Sequence, residues 1–311
     1  MNLDDLYEQV RRAAPVAGGS EPTPTPHQVA PGIRVLALRT PTLPPAAHTN
    51  AYLVGPPRGP QLLIDPGSPY PEQQAALDAV LAADAGAGRP LVAIALTHHH
   101  GDHIGGAAAT AARWSVPIAA HAGTARRLGD RVRVTRDVAD GDDLGELAGG
   151  IGVVAVFTPG HAEGHLVFEI ASAGATIAGD LVASIGTILI DPSEGDMARY
   201  LASLELVRAR PATAALLPAH GAPIADGRGK LADYVAHRLM REAKIVAALA
   251  AATRRDASGA GATIDDLVPD AYSDTPRALW PLAARSLRAH VDKLVREARA
   301  AEVTADHFRG L

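Results

Sequence analysis

Thr97-His98-His99-His100-Gly101-Asp102-His103 places four imidazoles and a carboxylate in seven residues, directly after the short apolar run Leu91–Leu96. In an extended segment His98 and His100 point the same way, because side chains alternate. His99 is out of phase with them and is expected to point away as a packing residue. Gly101 should let the backbone turn tightly, bringing Asp102 and His103 round to a second position. Gly105-Gly106 then opens a helix close against the loop. Imidazoles this dense on a loop after a strand have little structural purpose, and their chemistry suits a divalent metal.

The pattern repeats downstream. Ile151–Phe157 leads into Thr158-Pro159-Gly160-His161, Thr176–Ala178 into Gly179-Asp180, and Ala214–Leu217 into Pro218-Ala219-His220. Taken alone, His161 or His220 reads as an ordinary loop histidine. Together with the first loop, four apolar strands each deliver potential ligands past their carboxyl ends, where loops of an α/β sheet converge. Cysteine is absent, which removes disulfides, thiolate catalysis and every cysteine-containing zinc site. Zinc is the first expectation, at two Zn2+ per chain, and Mn2+ or Fe2+ also accept mixed imidazole and carboxylate ligation.

Around these motifs the chain alternates strands and helices. Strands are read at Ile33–Ala37, Asn50–Val54, Gln61–Ile64, Leu91–Leu96, Pro117–Ala120 and Ile151–Phe157. A hairpin around Gly174 joins Leu166–Ala171 to Ala175–Ala178, and a further strand is read at Ala214–Leu217. Helices are read at Pro71–Ala83, Gly105–Trp114 and Met197–Ala209. This order suggests an α/β sandwich with helices covering the sheet faces. Residues 1–30 read as an extension: an amphipathic helix (Leu3, Leu6, Val10), then a Pro/Thr/Gly linker from Pro15 to Gly32. Residues 31–227 form the main domain. Beyond Gly227 strands nearly vanish. Lys230–Ala252, a short helix at Ile264–Leu267 capped by Thr263, and a helix from Pro281 to about Ala300 make 228–311 a small helical domain.

The 311 residues suffice for a large and a small domain, and aromatics are only 4%, so the core rests on Ala, Val, Leu and Ile. No apolar run reaches the ~18 residues that span a bilayer, and the acidic amino terminus lacks a secretory pattern. No membrane partner is expected, and the default address is cytoplasmic. Of the net charge of −5, residues 228–311 carry +3 (14 Lys and Arg against 11 Asp and Glu) and the remainder −8. A basic tail on an acidic body would suit a polyanion, although no dense Lys/Arg cluster sets it apart from a solvated helical surface.

These residues resemble the metallo-β-lactamase fold superfamily, whose motifs occur here in order as Asp65, His98-x-His100-x-Asp102-His103, His161, Asp180 and His220. The resemblance implies an αββα sandwich in which His98, His100 and His161 hold one metal. Asp102, His103 and His220 would hold the other, and Asp180 would bridge both. Asp65 would orient a ligand or the loop, though an Asp before Pro66-Gly67 also reads as a turn residue. Thr158-Pro-Gly-His161-Ala-Glu-Gly-His165 looks like the glyoxalase II pattern, in which the second histidine is not a ligand, so His165 is expected beside the ligands or in a structural role. Asn50-Ala-Tyr-Leu-Val-Gly55 and His237-Arg238-x-x-Arg241-Glu242 are similar to the β-lactamase-like protein 2 family, which is associated with endoribonuclease activity. That likeness covers Asn50 to about Val303 and implies a winged-helix-like carboxyl-terminal domain.

The expected chemistry is hydrolysis by a hydroxide shared between two metals, with Asp102 orienting it or accepting its proton. For the substrate, the resemblance and the basic tail point to phosphodiester bonds of single-stranded RNA. Arg238, Arg241 and Lys244 fall near one helical face, where they would meet phosphates or, on the competing reading, pair with Glu242 and the main domain. Aromatic platforms for bases are scarce in the tail: Tyr234, Tyr272, Trp280 and Phe308. The alternative is a small-molecule ester, thioester, lactone or lactam, suited by the apolar loop Leu181–Pro192. A metal-stabilised binding protein without catalysis ranks last, because the full ligand set is present. The tail is also where a homodimer contact would form.

Overall fold

Apolar runs buried on both faces read as continuous rather than alternating hydrophobic sequence, and the middle of the first sheet is built from such runs. A computed structural model describes residues 24–311. The expected helix at Leu3–Val10 and most of the 1–30 extension lie outside them. The end of the expected linker is instead strand β1 (His27–Ala30), turning at Gly32 into β2 (Ile33–Arg39). Strands β3 (His48–Val54), β4 (Gln61–Ile64), β5 (Leu91–Ala95), β6 (Ile118–Ala120) and β7 (Arg136–Asp137) follow, and the seven lie in sequence order. Pairing is antiparallel from β1 to β4 and parallel from β4 to β7. The parallel crossovers carry helices α1 (Pro71–Gly86), α2 (Gly101–Ile104), α3 (Ala107–Trp114) and α4 (Ala122–Leu128).

The second sheet runs β11 (Ala215–Pro218), β10 (Ala175–Gly179), β9 (Leu166–Ile170), β8 (Val154–Phe157). Helix α5 (Met197–Arg208) is the crossover between the parallel strands β10 and β11. The expected hairpin around Gly174 is present. Between the sheets, Tyr52, Ile64 and Ala95 pack on Phe168, Ile177 and Leu217. Alternation along β4 sends Leu62 and Ile64 into this core and Leu63 to the opposite face, where Leu77 and Leu81 of α1 cover it. On the far side, Val156 and Val167 meet Met197, Tyr200 and Leu204 of α5. The result is the expected αββα sandwich.

Helix α6 (Gly227–Arg255) joins two units. Its first turns, with Leu231 and Tyr234, complete the outer core of the second sheet. Its last turns, with Ile245, Ala248 and Leu249, enter a separate core shared with α7 (Ile264–Ala271) and α8 (Trp280–Arg296). The expected boundary at 227/228 falls in the first turn of α6, and the packing changes partners halfway along the helix. Thr263 caps α7 in a reciprocal capping box with Asp266. Strands do not vanish in this region. β12 (Ala262–Thr263), β14 (His307–Gly310) and β13 (Ala300–Thr304) form a small antiparallel sheet, so the expected final helix ends at Arg296. The sequence hides β13 because it follows an Ala- and Arg-rich helix and is mostly exposed. Its hairpin also turns through Asp306 at φ 59° rather than through a glycine.

Candidate metal centre

Strands β5, β8, β10 and β11 end at one rim of the sandwich, and their following loops supply the side chains anticipated from the motifs. Nε2 of His98 lies 2.9 Å from Nδ1 of His100 and 3.3 Å from Nε2 of His161, and the last two are 3.0 Å apart. Asp180 reaches both halves of the site. Its Oδ2 is 3.5 Å from His161 Nε2, while its Oδ1 is 3.4 Å from His103 Nε2 and 3.2 Å from His220 Nε2. Asp102 Oδ2 is 3.5 Å from His220 Nε2. The ligand atoms of His98, His100, His161 and Asp180 lie within 4.8 Å of one another, and so do those of Asp102, His103 and His220.

The local turn differs from the expected one. Gly101 has no positive φ and begins α2, and a Cβ there would meet nothing. The helix start, not a glycine turn, swings Asp102 and His103 round. The close approach is needed elsewhere. A Cβ on Gly67 would sit 1.8 Å from the Asp102 carbonyl oxygen. At Gly179 (φ +50°) a Cβ would fall 2.8 Å from His165 Nε2, so only glycine lets Asp180 enter the site there.

Three imidazole nitrogens converging within 3.3 Å cannot all be hydrogen-bonded to one another, and His103 Nε2 and Asp180 Oδ1 are buried without a hydrogen-bond partner. A divalent cation in each half would satisfy them, so the donor set fits. The remote nitrogens are already fixed, as metal ligands require. His103 Nδ1 is 2.8 Å from Asp65 Oδ2, and Asp65 also accepts from the backbone N–H and hydroxyl of Thr97. His161 Nδ1 donates to Leu189 O and His220 Nδ1 to His48 O. His165 stands behind the cluster. Its Nε2 accepts from Asp180 N–H at 3.1 Å, which assigns its proton to Nδ1, bonded to Thr158 Oγ1.

Burial and the neighbouring histidines hold His98 well below the usual imidazole range, and burial takes His161 down to about 4. Both are neutral and ready to donate lone pairs. Burial also works against charge on His103 and His220, but the Asp180 and Asp102 carboxylates outweigh it. They hold His103 well above its ordinary value and His220 at about 8.

Glu194 was not anticipated. Its two carboxylate oxygens bond His100 Nε2 at 2.7 Å and His99 Nε2 at 2.6 Å. His99 does face away from the cluster, yet it is held by this hydrogen bond rather than by apolar packing. Burial opposes the charge of Glu194, and the two histidines more than compensate, keeping it ionised. No spacing rule links a lone acid after Asp191-Pro192-Ser193 to a histidine loop, so the contact had no signal in the sequence.

A cavity of about 460 Å3 opens on His100, Asp102, His161, Asp180 and His220. Pro44 and Pro45 wall one side, Ile185, Ile188 and Leu189 another, and Leu282 of α8 a third. The loop after Asp180 is pinned by α6 at four-residue spacing. Lys230 Nζ donates to Ser184 O, the Tyr234 hydroxyl accepts from Ala183 N–H, and Arg238 donates to Ile188 O. Arg238 and Arg241, the expected substrate contacts, both line the cavity but are buried. Arg241 pairs with Asp274, as does Lys244. Neither Arg238 nor Arg241 pairs with Glu242, which instead binds Lys293 and Arg299.

Residues 44–220 match the metallo-beta-lactamase superfamily, and residues 263–308 match the beta-lactamase associated winged helix domain. Among curated proteins, the chain is 32% identical to "Lactamase-like protein vrtG" of Penicillium aethiopicum over 82% of this chain and 78% of that one. It is 29% identical to "Beta-lactamase-like protein 2 homolog" of Drosophila melanogaster over 86% and 88%. It is also 29% identical to "Atrochrysone carboxyl ACP thioesterase" of Aspergillus chevalieri over 73% and 69%. A beta-lactamase domain protein from Burkholderia ambifaria shares the fold at a TM-score of 0.78 and 20% identity, over 96% of each chain. By these matches and this fold, the chain belongs to the metallo-β-lactamase superfamily and is a hydrolase that carries the family's associated winged-helix domain.

Proposed function

We propose that the chain hydrolyses the acyl bond of an ester or thioester at a dinuclear metal centre. His98, His100 and His161 would hold one cation, Asp102, His103 and His220 the other, and Asp180 would bridge them. Zinc is the first assignment, with Mn2+ or Fe2+ accepted by the same donors. Such cations supply Lewis acidity and bring the pKa of water from about 15.7 towards ~7. The chain's own residues do the rest. Asp102 lines the cavity, where its carboxylate orients the attacking water and takes its proton. Glu194, Asp65 and the Leu189 carbonyl keep the donor imidazoles turned inward.

The observation that carries the acyl reading is the cavity wall. Proline, isoleucine and leucine side chains stand directly beside the cluster and exclude water from an acyl chain. The relative named as a thioesterase supports it. The zinc-loaded protein should cleave p-nitrophenyl esters and acyl thioesters, with kcat/KM rising about fourfold per added methylene until the cavity fills, as ~0.8 kcal/mol per buried CH2 dictates. The double variant Asp102→Ala, His103→Ala should abolish this. Cleavage of single-stranded RNA and bis-p-nitrophenyl phosphate with no acyl turnover would overturn the reading. That second reading, RNA hydrolysis, draws on the resemblance to β-lactamase-like protein 2. It is weakened by the commitment of Arg241 and Lys244, two of the three cations expected to meet phosphates, to Asp274.

A further inference from the structure

The buried cations of the carboxyl-terminal region are matched to carboxylates with one exception. Arg241 is opposed by Asp274, and Lys293 by Glu242 and Glu297. Arg238 is 3% exposed and has no carboxylate within ion-pair distance among the described residues. It donates to the backbone carbonyl of Ile188, and it lies beside Tyr200, its guanidinium carbon 5.4 Å from the ring centre. Its Nε is buried with no hydrogen-bond partner, and so is Nδ1 of the adjacent His237. Both side chains line the cavity that opens on the metal cluster. A buried charge without a counter-charge is costly unless an anion arrives to pair with it. Ile188, Leu189, Leu279 and Leu282 line the same cavity and give it an apolar stretch.

Resting on the acyl reading above, we propose that Arg238, with His237, binds a carboxylate at the far end of the acyl chain, so that the preferred substrates are half-esters or half-thioesters of dicarboxylic acids. The apolar stretch holds the methylenes, and the terminal carboxylate meets the guanidinium at the wall formed by α6. The charge on Arg238 then selects among acyl chains while the metal cluster acts on the other end.

Two measurements on the full-length, metal-loaded protein test this. The first compares mono-p-nitrophenyl adipate with p-nitrophenyl hexanoate. The ratio of kcat/KM should favour the carboxylate-ended ester about tenfold to a hundredfold, chiefly through KM, as a charge-assisted hydrogen bond provides. The ratio should fall towards one in Arg238→Gln and be partly kept in Arg238→Lys. Because each ratio is taken within one variant, a change in folded fraction cancels. The second compares binding of adipate and hexanoate by calorimetry, which needs no turnover. Adipate should bind the parent protein more tightly than hexanoate does, and Arg238→Gln should lose that difference. Acyl turnover with equal ratios and equal binding overturns the carboxylate subsite and leaves the acyl reading standing. Adipate selectivity without acyl turnover supports the subsite and overturns the acyl reading. A preference that survives intact in Arg238→Gln assigns the carboxylate to another group and overturns the proposal.

Discussion

At the scale of single residues, Glu194 shows how much a metal site depends on groups that are not themselves in it. It bonds the outward nitrogen of His100, so the inward Nδ1 keeps its lone pair. Glu194→Gln should weaken metal affinity about 10- to 100-fold, read by competition against a chromogenic chelator. An unchanged affinity would show that His100 is oriented by its backbone alone. The raised values of His103 and His220 set a pH dependence of definite sign. In chelator-treated protein, protonated His220 paired with Asp180 and Asp102 stabilises the fold fully below about 6.5. That contribution is lost as the pH rises through about 8. Metal binding needs the deprotonated ring, so affinity for zinc should climb over the same interval. Calorimetric titrations at pH 6.5 and 8 check both trends, and a flat profile would rule out this coupling.

At the scale of elements, the two facing sheets depend on two aromatic side chains, Tyr52 and Phe168, in a core otherwise made of aliphatic ones. Phe168 of β9 is fully buried between the sheets among Ile, Leu and Ala. Phe168→Ala should cost about 3–5 kcal/mol through the cavity left behind, measured by denaturant unfolding. In the carboxyl-terminal unit, Glu242 is buried where α6, α8 and the turn at Arg299 meet, and it pairs with Lys293 and Arg299. Burial works against its ionisation, but the bonds from His290, Lys293 and Arg299 hold it down at about 2. Its stabilisation is complete above about 4.5 and disappears as the pH falls through about 2. Glu242→Gln should therefore cost about 3 kcal/mol at neutral pH and converge on the parent protein in acid. Parallel melting curves at pH 7 and 2 would reveal it.

At the scale of the whole molecule, α6 makes the two units interdependent. Leu231 and Tyr234 close the outer core of the second sheet, and Lys230, Tyr234 and Arg238 hold the loop from Ala183 to Ile188 against the metal rim. Removing 228–311 should therefore do more than delete an appendage. The shortened chain is expected to lose cooperative unfolding and to expose apolar surface, detected by dye binding and a broadened thermal transition. A shortened chain that melts sharply and binds metal as the full chain does would show that the sandwich closes without α6. No helix among the described residues is long and apolar enough to cross a membrane.

While the resemblance implied the αββα layering, the residue sequence by itself determined the alternation of strands with helices and the histidines and aspartates that gather at strand ends. Each of these is written locally: an apolar run a few residues long, then a histidine or aspartate at its end. His98, His100, Asp102, His103, His161, Asp180 and His220 could be named because every one follows such a run. The wing strand β13 was not legible, since an exposed strand after a helix has neither alternation nor turn glycine. Only the tertiary structure decided what surrounds the centre. Glu194 lies 94 residues from His100, and Arg238 lies 50 from the Ile188 carbonyl. No periodicity spans such distances. Whether a buried charge is paired depends on which side chains packing brings beside it, so a cavity-lining guanidinium that meets a carbonyl and no carboxylate is a property of the fold.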